Sequence, residues 1–290
     1  MRQVAILYNG KIDVAEYPGV VLKNPVLLKP IYVYIGEVER SILTGKLPVN
    51  KSIILGCTGV ARIIEVYSGS TEYTGRVFTI SPFGAQGILG VEEDGLLSNY
   101  SSIHPSYLDE IVLEPKPIDA IKPLVKHAET LSQRVMEPVL IEGCNLVSLA
   151  LGLSLRYKGI EPAFYCENTA RSVIQFGFRV FKHPSELVDQ WGSIVLTSHD
   201  HTAKYKLLSQ LVYNNIVVSP LSFTNWIPLT KREGVYNVSI AYRDNVVDNT
   251  VVRRVLDTLS KSIRIVEVDD LKNAIGLFPP RGLGLILSLK

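Results

Sequence analysis

The rhythm of hydrophobic and polar positions changes near residue 116. Before that point apolar residues come in short runs, rich in β-branched side chains and broken by turns: QVAILY, KIDVAEY, PIYVYIG, GVARIIEVYS and RVFTIS. Runs of this kind predict short strands, and the scarcity of helical patterns among them predicts a barrel-like or sandwich-like β domain. The Gly/Pro-containing stretch SPFGAQGILG and the segment EEDGLLSNY follow.

After Pro117 the pattern alternates. A helix is expected over residues 119–135, then a strand PVLIEG and an apolar helix NLVSLALGLSLRYKG. AFYCE and TARSVIQFG continue as strand and helix, RVF as a short strand, SELVDQW as a short helix and SIVLTS as a strand. TAKYKLLSQLVYN reads as a helix, NIVVSP as a strand, and NVSIAY with NTVVRRVLDTLSKS closes the series. Strands alternating with helices predict a parallel sheet covered on both faces. The tail returns to β character in IRIVEV and GLGLILSLK, around a short helix DDLKNAIG, and its final strand is expected to rejoin the first domain. The fold class is therefore α/β. A β-rich domain of residues 1–116 and 265–290 is interrupted by an α/β domain of residues 117–264.

Composition narrows this picture. A chain of 290 residues accommodates two domains, and 47% hydrophobic with 20% charged residues favours a sizeable core over disorder. A net charge of +2, with no Lys/Arg run, leaves no electrostatic footprint for nucleic acid. The longest apolar run, Gly143 to Leu155, is shorter than the ~20 residues that span a bilayer. The start, MRQVAILYNGKIDVAEYPG, lacks the apolar block and cleavage site of a signal peptide. A soluble cytoplasmic protein without membrane or nucleic-acid partners is expected. Three cysteines, at 57, 144 and 166, are an odd and sparse set that argues against a disulfide framework.

Four segments carry a resemblance that covers nearly the whole chain. IGEVERSILTG looks like I-C-G-T-D-R-x-I-L-x-G, and ILGCTGVARIIEV looks like I-L-G-H-E-x-x-G-x-V-x-E-V. DGLLSNY looks like D-G-x-x-A-E-Y, and IKPLVKHAETL looks like a helix bearing E-P-L. In this order they resemble the medium-chain dehydrogenase/reductase superfamily, the zinc-type alcohol and sugar dehydrogenases. The resemblance implies a GroES-like substrate domain, a Rossmann-like doubly wound domain, NAD or NADP as cofactor, and a small-molecule substrate. It also implies a homodimer joined edge to edge through NVSIAY and the helix after it.

The matching motifs imply a catalytic zinc held by a cysteine, a histidine and a glutamate. Those positions fall here on Gly36, Cys57 and Thr58, and a further acidic position before Pro-Leu falls on Lys122. Zinc takes N, S or O donors at ~2.0–2.3 Å in a tetrahedral array. One cysteine and a threonine hydroxyl do not supply that, and an ammonium opposes it. SPFGAQGILGVEE stands where relatives carry a four-cysteine lobe. No zinc is expected at either place.

The nucleotide fingerprint G-x-G-x-x-G falls on GCNLVS. Gly143 is kept, and Asn145 and Ser148 replace the other glycines. Asparagine tolerates a left-handed turn and serine is small, but a side chain at 145 lies where a pyrophosphate would pass. Glu167 ends the next strand, in the position of the acid that binds the ribose diol, and favours NAD; Arg171 keeps NADP open. The alternative is that Glu167 is an acid at the start of the following helix.

Candidate chemistry centres on SHDH. His199 and His201 follow a strand whose carboxyl end faces the ligand side of such sheets. They suit a proton shuttle, or a metal if a third ligand joins them. The alternative is that Ser198 or Asp200 caps the next helix with both imidazoles in solvent. Glu39 is either a polar anchor or a surface carboxylate facing Arg40 or Lys46. Cys57 is reactive if Lys122 lies near, and otherwise a small core residue. His127 is expected on a helix surface, with a general-acid role as the other reading. Tyr32, Tyr34, Trp191 and Trp226 form no stacking platform. The expected function is a zinc-independent NAD(P)-linked oxidoreductase acting on a small carbonyl, alcohol or activated alkene, with Glu39, His199 and His201 as its candidate catalytic groups. The alternative is a non-catalytic dehydrogenase-like protein that binds a ligand or partner.

Overall fold

The change of rhythm in the sequence marks a division in the structure. A computed structural model describes residues 2–49, 52–68, 71–167, 171–188, 190–223, 237–240 and 246–290. The chain divides into a unit of residues 1–124 with 262–290 and a unit of residues 125–261.

The first unit is built from short strands: β1 (Gln3–Tyr8), β2 (Ile12–Tyr17) and the ten-residue β3 (Val26–Ile35). Helix α1 (Glu37–Leu43) follows, then β4 (Ile53–Ile54), β5 (Thr58–Val66), β6 (Val77–Ile80), β7 (Phe83–Gly84), β8 (Gly87–Ile88), β9 (Ser101–Ile103) and β10 (Leu108–Ile111). A 3-10 turn (Pro117–Ile121) leads into α2 (Lys122–Ser132), through which the chain passes to the second unit.

In the second unit come β11 (Val139–Glu142), α3 (Leu146–Tyr157), β12 (Ala163–Tyr165), α4 (Arg171–Ile174), β13 (Arg179–Phe181) and β14 (Gln190–Leu196). They are followed by α5 (His201–Gln210), β15 (Val212–Val218), α6 (Pro220–Phe223), β16 (Asn237–Ile240) and α7 (Asn249–Leu259). The chain then returns to the first unit in β17 (Arg264–Val268) and β18 (Leu285–Leu289).

In the first unit β2, β1 and β4 form a three-stranded sheet. A larger sheet runs β10-β6-β5-β3-β18-β17, with β9 also on β3. The long β3 is the spine of that sheet. It pairs antiparallel with β5 from Val26↔Val66 to Tyr34↔Thr58, and with β18 from Leu285↔Ile35 to Ser288↔Tyr32. GLGLILSLK thus rejoins the first domain as expected, because its alternate apolar residues Leu285 and Leu287 enter a buried core with Val33 and Ile35.

The second unit is a parallel six-stranded sheet in the order β13-β12-β11-β14-β15-β16. Counted within the unit this is 3-2-1-4-5-6, the doubly wound order, whose strand direction reverses its march beside the first strand. Helix α3 is buried from Leu146 to Leu155, as a helix that is apolar all round must be. A Cβ on Gly152 would come within 2.5 Å of Phe164 on β12, so helix and strand approach closely there.

Some local expectations change. SELVDQW is a 3-10 turn (Pro184–Glu186) that gives way to a strand containing Trp191. The run TAKYKLLSQLVYN splits, because the helix stops at Gln210 and strand β15 begins at Val212. Trp226 and most of the segment before NVSIAY lie outside the described residues. No helix among the described residues is long and apolar enough to cross a membrane.

Candidate functional site

In the first unit Gly36 and Cys57 meet at Glu39. Gly36 is the N-cap of α1, and Glu39 turns back to accept its N–H at 2.7 Å on Oε2. The other oxygen, Oε1, accepts the Cys57 N–H at 3.2 Å. Glu39 is only 1% exposed, which corrects the reading of a surface carboxylate; Arg40 pairs instead with Glu37. Burial raises the Glu39 pKa, and its backbone hydrogen bonds oppose that.

This arrangement does not fit zinc. A Cβ built on Gly36 would overlap the Tyr34 hydroxyl and ring, so no side chain fits at the first ligand position. Tyr34 is fixed there by donating to the Leu283 carbonyl at 2.6 Å. Burial, with the Glu39 charge beside it, pushes the Cys57 thiol well above its ordinary pKa, away from the thiolate that binds metal. Thr58 donates its hydroxyl to the Ile80 carbonyl at 2.7 Å, and Lys122 is paired with Glu110 at 2.7 Å. Cys57 is therefore a buried core thiol. Among the described residues no three His, Cys, Asp or Glu side chains gather as a metal-holding group. A pocket of about 240 Å³ lies elsewhere on this unit, lined by Gln3, Tyr17, Lys23, Asp94 and Ser101 among others, and holds none of the candidate residues.

In the second unit the turn between β11 and α3 opens on Gly143. Gly143 has φ +106°, and a Cβ there would meet Thr197 Oγ1 at 2.6 Å. Asn145 caps α3: its Oδ1 accepts the Ser148 N–H at 3.0 Å, and Ser148 Oγ accepts the Asn145 N–H at 2.7 Å. The Asn145 amide also donates to the Thr197 carbonyl at 3.0 Å, so this side chain is folded against β14. The N–H groups of Leu146 and Val147 open the helix and have no intrahelical acceptor, as in any α-helix.

Cys144 in this turn is joined by a disulfide to Cys166, just past the end of β12, with Cα atoms 5.8 Å apart. One bridge thus forms within a set of cysteines whose number and spacing argued against a disulfide framework. The parallel register Glu142↔Tyr165 brings together Cys144 and Cys166, 22 apart in sequence. Glu167, next to Cys166, accepts from Tyr165 Oη at 2.7 Å and from Lys206 Nζ at 2.8 Å. Partial burial raises its pKa, but the bonds from Lys206 and Tyr165 outweigh it and hold the carboxyl below its ordinary value.

The SHDH segment opens α5. Asp200 is the N-cap and accepts the Ala203 N–H at 3.1 Å. His199 is buried rather than solvated, and its Nε2 lies 2.6 Å from the Leu221 carbonyl. A carbonyl only accepts, so the Nε2 proton points there. His201 is the first residue of α5 and half-buried. Two side chains that sequence reasoning missed complete the cluster. Glu142, at the end of β11, is buried and accepts from the Ser198 hydroxyl, the Ser198 N–H at 3.2 Å and the Thr197 N–H at 3.3 Å. Burial raises the Glu142 pKa and lowers that of the buried Lys204, while each charge opposes the shift of the other. His127, expected on a helix surface, is buried with Nε2 2.9 Å from Ser219 Oγ; burial pulls its pKa down to about 3.

No protein-family description and no curated relative matches the sequence. Solved structures match its fold over the full length. Acetophenone reductase from Geotrichum candidum, in complex with NAD, has a TM-score of 0.70 at 12% identity, covering 99% of this chain and 97% of that one. A thermostable alcohol dehydrogenase from Pyrobaculum aerophilum has a TM-score of 0.68 at 14% identity, covering 99% and 100%. A short chain alcohol dehydrogenase from E. coli CFT073, complexed with NADH, has a TM-score of 0.68 at 15% identity, covering 99% of each chain. The chain shares the fold of these structures, that of the medium-chain dehydrogenases/reductases: a β-rich unit interrupted by a doubly wound α/β unit.

Proposed function

We propose that this protein is a zinc-independent NAD(P)-linked oxidoreductase acting on a small carbonyl, alcohol or activated alkene. The observation that carries the reading is Glu167, a charged carboxylate just past the end of the second strand of a 3-2-1-4-5-6 sheet, whose neighbour Cys166 is bridged to Cys144 in the turn opened by Gly143 at φ +106°. An acid in that position binds ribose hydroxyls, and the open helix start receives phosphate. Gly143 supplies the tight turn, the N–H groups of Leu146 and Val147 serve the pyrophosphate, and the Asn145–Ser148 cap holds that first helical turn in place. A bound nicotinamide supplies hydride transfer.

The proton is the chain's own task, since the donor set around Cys57 does not suit zinc. Glu39 carries a raised pKa but spends both oxygens on backbone N–H groups. His199 spends its Nε2 proton on a carbonyl. His201 is the first residue of α5 and is half-buried, and on that exposure it is the group this reading assigns to delivering a proton. Reduction of an activated alkene asks least of such a set, because the intermediate carbanion is stabilised by the substrate. We place the protein in the cytoplasm as a homodimer, with the edge strand β16 as the joining surface. Titration of NADH and NADPH into the purified protein tests this reading. Micromolar binding weakened by Glu167→Ala supports it, and no binding of either at millimolar concentration sinks it.

A second reading has its own observation. The Asn145–Ser148 cap and the Cys144–Cys166 bond both lie in the turn that would take the pyrophosphate. They favour a non-catalytic dehydrogenase-like protein that binds a different ligand or a partner.

A further inference from the structure

We infer that Cys144 and Cys166 form a reversible thiol–disulfide site, and that its redox state sets the rigidity of the turn between β11 and α3. The effect on cofactor binding rests on the dinucleotide reading above; the effect on the turn does not.

The argument begins with where the bond sits. Backbone pairing of β11 with β12 ends at Glu142↔Tyr165, and Gly143 then donates its N–H to the Tyr165 carbonyl at 3.0 Å. The disulfide is one covalent rung added just beyond that ladder. On the far side Cys166 donates its N–H to the Phe181 carbonyl at 3.0 Å. Breaking the sulfur bridge leaves these hydrogen bonds and the sheet register intact. What it releases is the side-chain tether of the turn, the covalent link between Cys144 and Cys166, the neighbour of Glu167.

The two sulfurs differ in access. Cys144 is half-buried, whereas Cys166 is 5% exposed. A thiolate arriving from solvent therefore attacks the Cys144 sulfur, and Cys166 leaves as the thiolate and takes up a proton. The second thiol of a dithiol reductant then displaces Cys144 from the mixed disulfide. The reductant ends as a disulfide and the protein as two thiols, so two electrons and two protons have moved. The remaining cysteine, Cys57, is fully buried and stays out of the exchange. In a reducing cytoplasm a surviving disulfide is more often transient or sensing than structural.

The bridged state fixes the phosphate turn and the ribose acid at one spacing. A pre-fixed site binds more tightly than one that must be ordered. Reduction is expected to weaken NADH binding by about tenfold, the size of ordering one or two side chains and a turn.

The experiment compares the full-length protein before and after native treatment with a dithiol, alongside Cys144→Ser/Cys166→Ser. Three readouts are taken: accessible thiols after denaturation, hydrogen exchange of the amides from Cys144 to Ser148, and NADH affinity. The expected thiol count is one per oxidised chain and three after reduction, returning to one on reoxidation. Exchange in the turn should rise on reduction and in the double variant, while exchange in the β11 and β12 amides stays slow. A count that does not change under native reduction, or turn exchange identical in both states, overturns the inference. If exchange responds but NADH binds in neither state, the redox site stands and the dinucleotide reading falls. If NADH binds equally in both states, the coupling to the cofactor is overturned.

Discussion

The Cys57 backbone N–H donates to the Glu39 carboxylate at 3.2 Å, tying the start of β5 to the first turn of α1. Glu39 also holds the Gly36 N–H, so a single buried side chain joins the N-cap of α1 to the residue before β5. Glu39→Ala would leave two buried N–H groups without their acceptor. A cost of about 2–4 kcal/mol is expected in denaturant unfolding, and a smaller one for Glu39→Gln, which keeps one acceptor oxygen. An alanine variant as stable as the parent would mean that water or a neighbour replaces the carboxylate.

Zinc has no suitable donor set around Cys57. Purified protein should contain zinc well below one atom per chain, and a strong chelator should leave its thermal midpoint unmoved. Stoichiometric zinc, lost together with stability on chelation, would contradict the reading of Gly36, Cys57 and Thr58.

His127 gives a pH signature of definite sign. Its folded pKa is about 3, against 6.5 for an unburied imidazole. Between these values the unfolded chain binds a proton that the folded chain refuses. Its contribution to stability is therefore complete above about pH 6.5 and falls as the pH is lowered toward 3, with a limiting slope of about 1.4 kcal/mol per pH unit. The raised carboxyls of Glu39 and Glu142 act in the opposite sense, retaining protons in the folded state. The difference between the parent and His127→Gln isolates the histidine. That difference should narrow steadily from pH 7 to pH 5 in urea titrations; parallel curves would refute the buried neutral imidazole.

Lys206 stands against Glu167 at 2.8 Å and is partly exposed. Lys206→Met would leave the carboxylate uncompensated and repel a 2′-phosphate. The NADPH-to-NADH affinity ratio should fall roughly fivefold to tenfold, in line with about 1 kcal/mol for a partly exposed charge pair. A ratio that does not move would remove Lys206 from cofactor choice.

The sequence was most legible where periodicity repeats. The alternation after Pro117 gives a parallel sheet, and the short β-branched runs before it give the strands that β3 gathers into one sheet. It was least legible where a contact depends on strand register. Cys144 and Cys166 look like two isolated cysteines until β11 and β12 are aligned, and Lys206 reaches Glu167 only through the doubly wound strand order. The burial of His127 was hidden for a related reason. KPLVKHAETLS has charges on several sides, and only the elements that cover a helix decide which of its polar groups are enclosed. In LLSQLVYN the apolar residues suit a helix or a strand equally, so the break between α5 and β15 had no local signal. The fingerprint's helix-packing glycine falls on Ser148, whereas it is Gly152, one turn further on, that meets Phe164.

The position of β18 between β3 and β17 has a consequence for how the chain becomes a protein. Residues 125–261 are contiguous and carry their own parallel sheet, so they have all their partners once they are made. Among the strands of residues 1–124, β3 also pairs with the closing segment. The edge of β3 that β18 will cover stays open while the whole second unit is synthesised, and its backbone groups wait for a strand some 250 residues downstream. Loop closure over such a distance is slow, and an unpaired strand edge invites wrong neighbours. One edge of the first unit's largest sheet is therefore completed only when the last strand of the chain is made.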